Sequence, residues 1–138
     1  MTAGLKGARV LVVEDEFLVA SLIEDMLESA GCVVSGPMPR VADALKAVNR
    51  ESYDAAVLDV NVAGARIDPV AEALSQRNVP FMFVTGYGNA ALPAEFAERP
   101  HLCKPFRMDE LLGTLLRIVN TPLPESAPQE YARSKGRD

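Results

Sequence analysis

Short apolar runs alternate along this chain with longer stretches in which apolar residues recur every three or four positions. The runs are Arg9 to Val13, Cys32 to Ser35, Ala55 to Leu58, Val79 to Val84 and a brief His101 to Cys103. Short and almost without polar alternation, they read as strands covered on both faces, as in a parallel sheet. The stretches between them have helical period. The first starts at Phe17 and stops at Ala30-Gly31, a good left-handed terminator, with Leu18, Leu22, Met26 and Leu27 as its expected apolar stripe. Val41, Ala42, Leu45 and Val48 space the second. The third runs from Pro69 to about Arg77, with Asp68 as N-cap before a proline at the first helical position. The last covers Arg107 to Val119, with Leu111, Leu112, Leu115, Leu116 and Val119 facing inward. This alternation predicts an α/β domain with helices on both faces of a parallel sheet.

Two segments break the rhythm. Val60 to Ile67 reads as a loop, and Gly36-Pro37 closes the second strand. Between Gly86 and Pro100, the residues Gly86, Gly88 and Pro93 leave room for one or two turns near Ala94 to Glu98. Each glycine lowers helix stability by about 1 kcal/mol against alanine, so the fourth helix is expected to be short or irregular. Beyond residue 120 the chain is rich in Pro, Ser and charge, which predicts a disordered tail over 121–138 after one domain over 1–120.

The 138 residues allow one domain with a real core, and 49% hydrophobic content fits a globular protein. A formal net charge of −5 argues against a nucleic-acid surface, so no DNA partner is expected. No run approaches the ~20 apolar residues of a membrane span, and the N-terminus lacks the apolar region of a signal peptide. Cys32 and Cys103, widely separated, give neither a disulfide framework nor a metal spacing, and both are expected to be core residues. The expectation is a reduced, cytoplasmic protein, monomeric or weakly dimeric.

The chemistry lies just past the strands. Glu14-Asp15-Glu16 follows the first, Asp59 ends the third, Thr85 ends the fourth and Lys104-Pro105 follows the last. In an open α/β sheet the carboxyl ends of the strands share one edge, where ligands bind. Singly these residues mean little: an acidic triplet suits any helix N-terminus, and Thr-Gly is ordinary loop chemistry. Together they bring carboxylates, a hydroxyl and an ammonium to one edge, the ingredients of a magnesium and phosphoryl site. Glu16 is expected to be a solvated bystander, and His101 a structural residue.

Over roughly residues 8 to 120 these positions resemble the receiver domain of two-component response regulators. The resemblance implies a flavodoxin-like fold, a five-stranded parallel sheet in the order 2-1-3-4-5 with five helices. It implies that Asp59 accepts a phosphoryl group, that Thr85 is the switch hydroxyl and that Lys104 contacts the phosphoryl group. It assigns Mg²⁺ (or Mn²⁺) to Asp15, Asp59 and the backbone carbonyl of Asn61, with Glu14 acting through water. The implied partners are a sensor histidine kinase or a histidine phosphotransfer protein, plus a downstream protein target. The chain would be a stand-alone signalling switch rather than an enzyme, catalysing only its own phosphorylation and dephosphorylation. A phosphate-independent binding module on the same fold is the alternative.

Phe83-Val84-Thr85-Gly86-Tyr87-Gly88 is similar to the motif of the subgroup called FATGUY regulators. His101 stands where the family usually has an aromatic switch residue, which directs attention to Tyr87, two residues after Thr85, as the tuning position. Replacing Tyr87 by alanine should change the lifetime of the aspartyl phosphate or the affinity for the partner. If both stay as in the parent protein, Tyr87 has no tuning role.

Overall fold

The structure is a computed structural model and describes residues 3–86 and 92–120. Five parallel strands form the central sheet: β1 (Arg9–Val13), β2 (Val33–Met38), β3 (Ala55–Asp59), β6 (Phe81–Thr85) and β7 (His101–Cys103). Their order, β2-β1-β3-β6-β7, is the expected 2-1-3-4-5 arrangement. Two two-residue strands, β4 (Asn61–Val62) and β5 (Ala65–Arg66), pair antiparallel as a small hairpin beside the sheet. Four α-helices cover it: α1 (Phe17–Ser29), α2 (Val41–Arg50), α3 (Asp68–Gln76) and α4 (Met108–Asn120). No described helix is long and apolar enough to cross a membrane.

Alternation along each strand divides the core in two, because successive side chains point to opposite faces. Leu11, Val13, Ala56, Leu58, Phe81 and Phe83 pack with Ala44, Val48, Val70 and Leu74 of α2 and α3. Val10, Val12, Ala55, Val57, Met82 and Val84 pack with Ile23, Leu27, Leu111 and Leu115 of α1 and α4. Strands buried on both faces explain the continuous apolar runs.

The differences from expectation have local causes. The stripe of α1 is rotated: Ala20, Ile23, Met26 and Leu27 are buried, whereas Leu18 is 80% and Leu22 48% exposed. Ile23 and Leu27, four residues apart, aim at the sheet, and Leu18 and Leu22 lie one position off that line on the solvent side. The expected fourth helix is a single 3₁₀ turn, Ala94–Phe96, whose Phe96 is buried together with Leu92. Phe96 meets Phe81 edge-on at 5.4 Å, and the Arg99 guanidinium stacks over Phe81 at 4.3 Å, which ties this segment to the core.

Strand β2 continues through Gly36-Pro37 to Met38, with an irregularity where Leu11 pairs Ser35 but Val13 pairs Met38. Gly36 has φ +104°, and a Cβ there would lie 2.7 Å from Met38 N and from Val12 O, so only glycine passes this point. The segment read as a loop after β3 contains the hairpin, turned by Ala63 and Gly64 at φ 53° and 82°. Positive φ at both central residues is the geometry of a two-residue hairpin turn. Cys32 is buried as expected, but Cys103 is exposed at the end of the short edge strand β7. Lys104-Pro105 is cis, and so is Gly36-Pro37.

The rotated stripe is directly testable. Ile23→Ala should destabilise the fold by about 2–5 kcal/mol, as large-to-small changes at buried aliphatic sites do. Leu18→Ala should change it by no more than about 0.5 kcal/mol. Urea unfolding of the two variants measures both, and comparable losses would contradict this helix orientation.

Candidate functional site

The parallel register sets the carboxyl edge. Pairing of Val13 with Leu58 and of Asp59 with Val84 brings the ends of β1, β3 and β6 level, and Thr85 pairs with Cys103 across β6 and β7. Glu14, Asp59 and Thr85 are buried there, and Lys104 is half-buried. The backbone continues the ladder past the strands: Glu14 N donates to Met38 O at 3.0 Å and Lys104 N to Thr85 O at 2.9 Å. A cleft of about 510 Å³ opens over this edge, lined among others by Asp15, Glu16, Asp59, Asn61, Thr85 and Lys104.

Lys104 is the hub. Its Nζ lies 2.9 Å from Glu16 Oε1, 3.1 Å from Glu14 Oε1 and 3.5 Å from Asp59 Oδ2. Asp15 Oδ2 accepts the backbone N–H of Ala63 at 2.9 Å, so the hairpin turn holds one wall of the cleft. Glu14 Oε2 accepts the N–H of Glu16 at 3.1 Å. Its other oxygen, Oε1, is buried without a hydrogen-bond donor, although Lys104 stands within ion-pair distance.

Burial dominates the electrostatics. It pushes Glu14 up to about 7, against the opposing pull of the Glu16 N–H and Lys104, with Asp59 adding to the rise. Asp59 is raised for the same reason, with the Lys104 charge working the other way. Burial by itself would lower Lys104; hydrogen bonds to Glu16 and Glu14 and the charge of Asp59 outweigh it and raise the group. The ammonium therefore stays charged.

The donor set fits a small divalent cation. One carboxylate oxygen each from Glu14, Asp15 and Asp59 lie within 4.8 Å of one another. The unsatisfied Glu14 Oε1 is an acceptor suited to a metal-bound water. Magnesium takes oxygen ligands and keeps several waters, so a few carboxylates and a carbonyl suffice.

Of the residues singled out by sequence, Glu14, Asp15, Asp59, Thr85 and Lys104 meet at this edge, with Asn61 on the cleft wall. His101 lies apart from the cleft lining, half-buried in β7. Tyr87 falls outside the described residues. Sequence reasoning missed three contributors. Glu16, expected to be solvated, makes the shortest contact to Lys104; the unbroken acidic triplet was the available signal. Arg66 lines the cleft from β5 and Ala63 N–H holds Asp15, and neither has a sequence signature.

A doubly wound parallel sheet with an acidic cleft and one buried-side lysine at its carboxyl edge defines a receiver-type α/β domain. The chain belongs to the response regulator receiver domain family of two-component signalling, whose family model matches residues 10–116. It is 34% identical over 129 residues to the transcriptional regulatory protein TcrA of Mycobacterium tuberculosis, covering 87% of this chain and 49% of TcrA. The chain thus spans about half the length of that curated relative. Among solved structures it is similar to SdrG from Sphingomonas melonis Fr1, at 41% identity and TM-score 0.74, covering 85% of this chain and 98% of SdrG. A BeF3-activated conformation of SdrG is 44% identical with TM-score 0.66, covering 78% and 95% of the two chains. The receiver domain of sensor histidine kinase PA1611 from Pseudomonas aeruginosa PAO1 holds a magnesium ion in its active site cleft. It is 25% identical with TM-score 0.73, and covers 83% of this chain and 99% of its own.

The raised carboxylates make a pH prediction. Folded Glu14 holds its proton up to about pH 7 against 4.5 in the unfolded chain. Between those values the folded state binds more protons, so metal-free stability should fall as pH rises from about 4.5 to 7 and level off above. The Glu14 contribution is on the order of 3 kcal/mol at most. Urea unfolding at pH 5 and 8 in chelator measures it, and added Mg²⁺ should restore stability mainly at pH 8. A metal-free protein more stable at pH 8 would contradict this electrostatic account.

Proposed function

We propose that this chain is a phosphorylation switch that accepts a phosphoryl group on Asp59 from a phosphohistidine donor. The observation that carries the reading is the burial of Asp59 at the floor of an open cleft, with Lys104 at 3.5 Å and the Glu14–Asp15 pair beside it. That set matches what attack by a carboxylate on a phosphoryl group requires.

An Asp59 oxygen attacks phosphorus in line with the phosphorus–nitrogen bond. That bond breaks as the new phosphorus–oxygen bond forms, and its electron pair stays on the donor imidazole. The product is an acyl phosphate on Asp59. Lys104 neutralises charge on a phosphoryl oxygen, and Thr85, buried at the end of the adjacent strand, reports the new group. Asp15, Asp59 and the backbone carbonyl of Asn61, with Glu14 through water, would hold Mg²⁺, which would supply positive charge to offset repulsion between the two anions. Since phosphoryl transfer is mostly positioning and charge stabilisation, the chain needs little other machinery. Its own phosphorylation and hydrolysis are the only reactions assigned to it.

The donor would be a sensor histidine kinase or a histidine phosphotransfer protein, and the output a protein contact. The activated SdrG conformation and the magnesium-bound PA1611 receiver support this reading by similarity. Incubation with a phosphorylated histidine phosphotransfer protein and Mg²⁺ tests it. Asp59 should be labelled, Asp59→Asn should abolish labelling, and chelator should slow it by at least tenfold. A parent protein that takes no label from any phosphohistidine donor or small phosphoramidate would leave the phosphate-independent module in its place.

A further inference from the structure

The lysine facing Asp59 is not held chiefly by Asp59. Its Nζ donates to Glu16 Oε1 at 2.9 Å and to Glu14 Oε2 at 3.3 Å, whereas Asp59 Oδ2 stands at 3.5 Å, the outer limit of a hydrogen bond. The two glutamates are not equivalent. The Glu14 side chain is wholly buried and is also fixed by the Glu16 N–H. The Glu16 side chain is 61% exposed.

The placement of Glu16 is informative in another way. It occupies the N-cap of α1, where a side-chain oxygen ordinarily accepts an N–H of the first helical turn. Here it makes no capping bond. Its carboxylate turns across the mouth of the cleft to Lys104 instead. One charge is thus spent on the lysine and withheld from the helix end.

We infer that Glu16 is a positioning residue that tethers Lys104 in the resting protein and competes with a phosphoryl group for its ammonium. The inference rests on the phosphoryl-acceptor reading of Asp59. When Asp59 gains a phosphoryl group, Lys104 exchanges the exposed Glu16 carboxylate for a phosphoryl oxygen and keeps buried Glu14 as its pivot. Glu16 thereby sets the balance between resting and phosphorylated arrangements without touching the reacting atoms. Being solvent-exposed, such an ion pair is weak, so its removal should shift that balance by a small factor, about two- to fivefold.

The test uses beryllium fluoride as the phosphoryl analogue, with saturating Mg²⁺, on the full chain. Titrations followed by amide NMR should show Glu16→Gln and Glu16→Ala binding it two- to fivefold more tightly than the parent, with Glu16→Asp closer to the parent. The side-chain nitrogen resonance of Lys104 should move in the resting Glu16→Gln protein and coincide with the parent's once the analogue is bound. In a Lys104→Gln background the Glu16 substitution should have no effect. A gain that persists in that background would mean general repulsion of the anion by Glu16 and overturn the tether. So would a resting Lys104 resonance unchanged by Glu16→Gln. A parent protein that binds no beryllium fluoride would instead refute the phosphoryl-acceptor reading, while the resting resonance would still decide whether Glu16 holds Lys104.

Discussion

The constraint on which the structure turns is unbalanced charge at one edge of a closed apolar sheet. Glu14, Glu16 and Asp59 surround the Lys104 ammonium, Asp15 stands beside Glu14 and Asp59, and two of these carboxylates are buried. Taking carboxylates out of water costs several kcal/mol each unless they are paired. A loop-built site would relax and let water in. Here the charged residues are anchored at the ends of strands whose interiors are wholly apolar, so the backbone cannot retreat without breaking the core. The sheet holds the charges together, and a cation or a proton must answer for the remainder. That is why burial raises Glu14 to about 7 and why a divalent ion suits the edge.

Packing around the edge serves the same end. On one face, Val12, Val57 and Val84 lock the strand register against α1 and α4. On the other, Leu58 and Phe83 sit over α2 and α3, and Phe81 carries the edge-on contact with Phe96 and the stacked Arg99. The 3₁₀ turn that follows β6 therefore has its own anchor in the core. Leu92 and Phe96 serve as packing residues there and leave little apolar surface for a partner. Three of the large apolar groups that do face solvent among the described residues, Phe17, Leu18 and Leu22, lie on α1, with Phe17 79% exposed directly after Glu16.

The strands were legible because burial on both faces leaves only apolar residues, and the site was legible because each functional group follows such a run. Asp59 and Lys104 needed no tertiary information beyond the rule that parallel strands share a carboxyl edge. What failed to show in sequence depended on geometry of less than a helical turn. Leu18 and Leu22 satisfy a helical stripe as well as Ile23 and Leu27 do, and only the sheet decides which line faces inward. The hairpin from Asn61 to Arg66 rests on Ala63 in the left-handed region, a conformation alanine does not advertise. Cys103 is apolar by type, yet it ends a three-residue edge strand and stays exposed. Glu16 is solvent-exposed as expected, but its pairing with Lys104 depends on the direction of one side chain.

The backbone bond from Lys104 N to Thr85 O limits how a change at Asp59 can spread. It closes the ladder between β6 and β7 at the level of the cleft, so the main chains of the lysine and the threonine move as one unit or not at all. With the lysine's backbone tied by this bond, its remaining freedom lies in the side chain, which reaches three carboxylates. Thr85 is constrained likewise: its backbone is held on one side by Lys104 and on the other by the pairing of Val84 with Asp59. The first turn of α1, reached through Glu16, lies outside that ladder and lacks a side-chain cap. The exposed Phe17 and Leu18 lie within one turn of the Glu16 carboxylate that pairs with Lys104. One ion pair thus links the cleft to the apolar start of α1.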